Sequence, residues 1–157
     1  MSLADLLDEI KRHHHPNPPA TAEEIEAFEA RMGWRLDDEL RAFYLRFNGA
    51  CLFAPVPDWS YRLLPLSEVE RARVAVFGSN GDRDDRGPAS WFVVCDNGDG
   101  YYVAIDIAAS MGDRYPLFDV WHEGFPDPNE CKQVAASFAE FLGRALRSGG
   151  VRFWLNR

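Results

Sequence analysis

Acidic and amide side chains cluster in the segment 95–106, whose sequence is CDNGDGYYVAID. Counted as a calcium-binding loop from the first of these residues, Asn97 and Asp99 fall at positions 3 and 5, and Gly100 falls at position 6. Such loops need an oxygen ligand at position 1 and usually a glutamate at position 12. Here those positions hold a cysteine thiol and Asp106. The pattern therefore favours a tight turn over a calcium site, and no metal is predicted here.

The residues on either side of this turn favour strands. The runs Trp91–Cys95 and Tyr101–Ile107 are rich in β-branched and aromatic residues, which suit a half-buried sheet. Asn-Gly and Asp-Gly pairs between the runs tolerate the positive φ angles of a tight turn. The sequence therefore predicts an antiparallel hairpin at the centre of a sheet.

Three successive histidines, His13 to His15, precede Pro16 and suggest a metal site. Adjacent residues on a helix point about 100° apart, so three in a row do not converge on one ion. A helix end before the proline, with imidazoles near the negative pole of the helix, is the favoured interpretation. Whether these histidines bind metal is left open at this stage.

Two further segments carry residue types that are typical of catalysis or phosphate binding. His122 beside Glu123 suggests an acid–base pair, but adjacent strand residues point to opposite faces and no serine or cysteine lies in a nucleophile motif. The glycine-rich segment 78–90 lacks the Lys and Ser/Thr of a phosphate loop, and its three aspartates would repel an anion. We expect structural roles, no cofactor and no enzymatic activity. An enzyme that uses His122 and aspartates for acid–base chemistry is the least favoured alternative.

The elements around these segments predict an α+β fold. Helices are expected over residues 3–13, over 21–33 after a Thr21 capping box, and over 37–47. A last helix is expected to bury Val134, Phe138, Phe141, Leu142 and Ala145. We expect the N-terminal helices and the C-terminal helix to pack on one face of a largely antiparallel sheet, leaving the other face available.

Length and composition favour one globular domain over residues 1–157, with a core of about 21–146. Residues 1–20 form an N-terminal helix and a proline-rich linker in this interpretation. No apolar run approaches the length of a membrane helix, and the acidic N-terminus is unlike a secretory signal. Three widely spaced cysteines fit a reduced, cytoplasmic setting. We expect a monomer or weak dimer.

The net charge of −8 is concentrated in one third of the chain. Residues 78–130 contain eleven acids and three arginines, and the remaining residues contain fourteen acids and fourteen bases. An acidic field repels nucleic acid and attracts basic proteins, although it also serves simply to keep a protein soluble. Nucleic-acid binding is therefore not expected.

The order of these features resembles the SUKH superfamily, which includes fungal cell-wall-synthesis regulators and bacterial immunity proteins that neutralise toxins. The resemblance lies in a capped helix ending at Gly33, a helix with the sequence ELRAFY that closes on Asn48-Gly49, and the DNGDG hairpin. It covers about residues 21–146. One departure is Leu36-Asp37, where members often carry Leu-Pro, but aspartate caps a helix equally well.

The resemblance implies a non-catalytic protein-binding module. The leading hypothesis is an immunity protein that neutralises a basic toxin of the nuclease class, and the alternative is a regulatory scaffold for an endogenous protein. The expected charge contacts are Asp82, Asp84, Asp85, Asp96, Asp99 and Glu123. The expected aromatic contacts are Trp59, Tyr61, Tyr102 and Trp121, each of which also fits a core position.

Overall fold

A computed structural model describes residues 1–53, 61–110, 112–127 and 129–155, and within these ranges the fold is α+β, as predicted. The helices are α1 Leu3–His13, α2 Ala22–Met32, α3 Asp38–Arg46, α4 Ala72–Phe77 and α5 Phe138–Leu146. The strands are β1 His15–Pro16, β2 Ala50–Leu52, β3 Tyr61–Leu63, β4 Glu70–Arg71, β5 Trp91–Gly98, β6 Tyr101–Asp106, β7 Leu117–Trp121 and β8 Gln133–Ala135. In this part of the chain no helix is long and apolar enough to cross a bilayer.

The N-terminal helices begin and end where their capping residues predict. Ser2 and Thr21 each form a capping box, because their hydroxyls accept from the backbone N–H three residues on, whose own side chain bonds back. Asp37 caps α3 by accepting from the N–H of Leu40. Gly33 ends α2 with φ of 81°, a conformation that glycine adopts without strain. These local signals fix the ends of the first three helices.

The strands form one antiparallel sheet in the order β1-β2-β3-β5-β6-β7-β8, and β4 also pairs with β5. The predicted hairpin is its centre, since β5 and β6 pair along almost their whole lengths. Its turn is tighter than predicted, because β5 continues to Gly98 and only Asp99 and Gly100 lie between the strands. Their φ angles of 54° and 79° fit a two-residue turn with two left-handed residues.

The N-terminal helices and α5 cover one face of the sheet, as predicted. Phe92 of β5 contacts Trp34, which follows α2, with ring centroids 5.0 Å apart. Tyr61 of β3 contacts Phe141 of α5 on the same face. The largest fully buried side chains of the core include Tyr44, Phe28, Phe43, Phe138, Ile10 and Ile25.

The prediction that the other face is left available is wrong for the β5–β7 half of the sheet. Trp91 lies on this face, because it adjoins Phe92 on β5, and it stacks on Phe118 with centroids 4.7 Å apart. Phe125 contacts Trp91 and also Phe77 of α4. Helix α4 and the turn after β7 therefore cover part of the face that we expected to be open.

One element prediction also needs correction. Val134 does not belong to the last helix, because it lies in β8, and α5 begins four residues later. The C-terminal segment docks against β3 through Tyr61 and contains a short 3₁₀ turn at Phe153–Leu155.

Candidate functional site: a partner-binding surface

The predicted aromatic contacts occupy different environments. Trp59 lies outside the described residues. Tyr61 is fully buried, and its hydroxyl donates to the carbonyl of Val151 at 2.6 Å and accepts from the N–H of Phe153 at 3.3 Å. Tyr61 is thus a core residue that holds the C-terminal tail. Tyr102 and Trp121 are half-buried, so part of each ring reaches the surface.

Two of the predicted acidic contacts share one buried arginine. The guanidinium of Arg73 donates to Asp82 at 2.9 Å, to Asp84 at 3.1 Å and to the carbonyl of Gly87 at 3.1 Å. Only 6% of Arg73 is exposed, whereas Asp84 is fully exposed. The segment 78–90 is therefore a loop built around a buried cation, which offsets part of its negative charge.

Asp85 and Asp96 lie apart from this arginine. Asp85 pairs with Arg83 at 3.1 Å, and both side chains are largely exposed. Asp96 stands in a cross-strand row between Arg62 of β3 and Tyr102 of β6. Burial is the main reason why the pKa of Tyr102 is raised, and the neighbouring charge of Asp96 raises it further. All three side chains of this row are half-buried, so the row is only partly covered.

Asp99 and Glu123 each adjoin a residue of the contact between the hairpin turn and the segment after β7. The backbone N–H of His122 donates to the carbonyl of Gly100 at 3.1 Å, which ties the segment after β7 to the turn that Asp99 occupies. Nε2 of His122 lies 3.7 Å from a carboxylate oxygen of Glu123, and both side chains are at least half exposed. A Cβ on Gly100 would collide with the His122 ring, so only glycine permits this approach. The structure thus brings Gly100 and His122 into contact, although they are distant in sequence.

Tyr101 and Arg152 are surface residues that sequence reasoning missed. The ring of Tyr101 stacks on Trp121 with centroids 5.8 Å apart and an angle of 8° between their planes. The guanidinium carbon of Arg152 lies 3.7 Å from the centroid of Tyr101. Tyr101 and Trp121 are opposed in the β6–β7 register, so strand pairing was the available signal for their contact. The position of Arg152 depends on the tail and has no local sequence signal.

Among the described residues, no group of three or more His, Cys, Asp or Glu side chains is arranged to hold a metal ion. In the hairpin, the carboxylate of Asp96 instead accepts from the N–H of Gly98 at 2.8 Å, as a turn requires. Nδ1 of His14 accepts from the N–H of Phe53 at 3.0 Å, and burial lowers the pKa of this imidazole. Because the lone pair of Nδ1 accepts this hydrogen bond, Nδ1 is not free to bind a metal.

Comparison with known proteins places this architecture in a family. The model of the SMI1 / KNR4 family (SUKH-1) matches residues 19–144, most of the chain. The chain belongs to this family. A relative is the protein named Immunity protein YokJ of Bacillus subtilis (strain 168), which is 25% identical over 122 residues. The matched region covers 77% of this chain and 71% of that relative.

The family match includes the helices α2 to α4, most of α5 and every strand from β2 to β8. The tail that carries Arg152 and Trp154 lies beyond the matched residues. The contact between Arg152 and Tyr101 therefore joins a residue outside the matched region to a residue within it.

Proposed function

We propose that this SUKH-1 chain is a non-catalytic binding protein, an immunity protein that neutralises a basic toxin of the nuclease class. The observation that carries the proposal is its membership of the family together with its similarity to Immunity protein YokJ. The inference to a nuclease rests on charge. Nucleases bind a polyanion with basic side chains, and an acidic protein surface complements the same side chains.

The distribution of charge supports a basic partner. The whole net charge of −8 arises within residues 78–130. Several acids of this segment are exposed, and they belong to the loop before β5 and to the end of the hairpin: Asp82, Asp84, Asp85, Asp99 and Glu123. An acidic field of this kind accelerates the encounter with a basic protein, and the acceleration weakens as salt is added. We expect binding in a reduced cytoplasm, since Cys51, Cys95 and Cys131 are free thiols.

The test is capture of the partner from a lysate of the native cells at low and high salt, followed by mass spectrometry. We expect a single basic protein that high salt releases, and expression of that protein alone should be toxic. An acidic or salt-insensitive partner without toxicity would instead favour the alternative, a regulatory scaffold. Failure to capture any partner from cells shown to express the toxin gene would contradict the immunity function.

Charge substitutions then test the contact residues. Reversal at Asp84 and Asp85, combined with removal of the charge at Asp99, should weaken toxin binding and lower the association rate most at low salt. Asp99 is changed to Asn, because its φ of 54° is one that asparagine tolerates. Unchanged affinity in the triple variant, with an unchanged unfolding curve, would show that these acids do not contact the toxin.

A further inference from the structure

The surface at the hairpin end combines rings with carboxylates, and we name it the hairpin-end patch. Its rings are those of Tyr101, Trp121 and His122, and its carboxylates are those of Asp99, Glu123 and Glu130. His122 lies edge-on to both other rings, with centroids 6.5 Å and 6.2 Å away. Two strands and one tight turn therefore bring three aromatic side chains into one cluster at the surface.

The patch is built to hold Trp121 in place. A Cβ on Gly124 would collide with the indole Nε1 of Trp121 and would lie 2.8 Å from Cβ of Glu130. Glu130 therefore lies beside the edge of the indole that carries the N–H. Because the turn after β7 packs against the ring, Trp121 is a rigid aromatic side chain that is still half-exposed. Rigid, partly exposed Trp and Tyr residues are typical of the centres of protein interfaces.

An arginine of the chain itself already contacts one of these rings. Arg152 places its guanidinium 3.7 Å from the centroid of Tyr101, a distance that allows a cation–π contact. The guanidinium plane suits stacking on a ring better than a lysine ammonium does. One arginine of the chain therefore already contacts the ring of Tyr101. The ring of Trp121 stacks on Tyr101 and extends the aromatic surface.

The carboxylates of the patch are less neutralised than those of the other acidic surface. In the described part of the chain, no Lys or Arg forms an ion pair with Asp99, Glu123 or Glu130. By contrast, Asp82 and Asp84 share the buried Arg73. Carboxylates without an internal cation attract an external one more strongly, because no existing ion pair has to be broken.

We propose that the hairpin-end patch binds arginine side chains of the toxin, with Trp121 as the stacking surface and Asp99, Glu123 and Glu130 as the carboxylates around it. The proposal rests on the proposed immunity function and deepens it, since it assigns the contact to one end of the sheet. It also ranks the acids: those at the hairpin end contact the toxin, whereas Asp82 and Asp84 chiefly hold their own loop.

The test uses a hexa-arginine peptide as the probe and the whole ¹⁵N-labelled protein as the receptor. We expect the largest chemical-shift changes at the indole N–H of Trp121 and at the backbone amides of Tyr101 and Glu123. Trp121→Leu should weaken peptide binding about fivefold, which matches a cation–π contact of about 1 kcal/mol. Hexa-lysine should bind more weakly than hexa-arginine to the wild type and about equally to the variant.

Substitutions at exposed positions test the patch without the risk that the variant fails to fold. Asp99→Asn with Glu123→Gln changes charge at exposed positions and should weaken hexa-arginine binding, while Asp84→Asn with Asp85→Asn should change it less than about twofold. Shift changes centred on residues 82–86, or equal binding by Trp121→Leu and wild type, would overturn the proposal. Failure of this proposal can be distinguished from failure of the immunity function. If Trp121→Leu binds the captured toxin as tightly as the wild type does, the immunity function is unaffected and only the role of the hairpin-end patch is contradicted.

Discussion

Arg73 shows how much one residue decides about the acidic loop. It is a buried residue of α4 and is the common partner of Asp82 and Asp84. Without this guanidinium, the carboxylates of Asp82 and Asp84 and the carbonyl of Gly87 would lose the donor that they share. The buried guanidinium of Arg73 thus fixes the conformation of a loop that is rich in aspartates.

Replacement of Arg73 by Met should lower the free energy of unfolding by about 1–3 kcal/mol, the range for hydrogen bonds between charged groups that are partly screened by water. Arg83→Met is the matched control, since its pair with Asp85 is exposed and should contribute less than about 0.5 kcal/mol. Urea denaturation of both variants gives the comparison. Equal losses would show that Arg73 does not organise the loop.

Asp119 gives a pH prediction at the same scale. Its side chain is 7% exposed, Oδ1 has no hydrogen-bond partner among the described residues, and burial raises the pKa of the carboxyl. Below its ordinary value of 3.8 the group is protonated in the folded and unfolded states alike. As pH rises above that value, ionisation favours the unfolded state, so this group lowers stability progressively until the pH passes its folded pKa.

Asp119→Asn should therefore be more stable than the wild type at neutral pH, and the difference should vanish in acid. Thermal unfolding measured from about pH 3 to 7 checks the sign, since the linkage relation ties stability to the difference in bound protons. Asp85→Asn, at an exposed position, is the control. A difference that grew toward acid would contradict the assignment.

At the scale of elements, the sequence allowed the hairpin and the first three helices to be predicted, because their signals are local. The capping boxes, Gly33 and the Asp99-Gly100 turn each determine the backbone conformation of only a few neighbouring residues. Strand β8 was missed because Val134 matches the spacing of the apolar face of α5, and only pairing with β7 distinguishes the two. The grouping of Arg73 with Asp82 and of Tyr101 with Arg152 depends on tertiary contacts, which no local pattern encodes.

The hairpin turn can be tested with two of its glycines. Gly98 and Gly100 both have positive φ, but a Cβ on Gly98 meets nothing within 4 Å, whereas one on Gly100 collides with His122. Gly98→Ala should cost about 1 kcal/mol through the backbone alone, and Gly100→Ala at least about 2 kcal/mol. Chemical denaturation measures both. Equal costs would mean that the contact with His122 is not part of the folded hairpin.

The C-terminal tail is the second element that can be tested. Tyr61→Phe removes the hydroxyl that holds Val151 and Phe153, and should cost about 1–2 kcal/mol while exposing the tail to carboxypeptidase. Tyr102→Phe is the control, because no hydrogen bond of its hydroxyl is found in the described ranges, and it should change stability by less than about 0.5 kcal/mol. An undisturbed tail in Tyr61→Phe would show that ring packing alone holds it.

At the scale of the whole molecule, the hydrophobic core and the negative charge lie in different regions. The helical side of the sheet holds the core, and the acidic segment 78–130 contributes the loop before β5, the hairpin end and the turn after β7. Long-range attraction from the whole segment would bring a basic toxin close, and a smaller patch of rings would then fix its orientation. Most binding energy would then depend on few residues, while the association rate would depend on many.

The most direct measurement of the central claim is protection of growing cells. The toxin captured from the native lysate is expressed in a susceptible host, alone and together with this chain. We predict that the toxin alone arrests growth and that co-expression of the wild-type chain restores it, while Trp121→Leu protects less. Growth arrest that the wild-type chain does not relieve, although it is expressed and folded, would contradict the assignment of this SUKH-1 protein as an immunity protein.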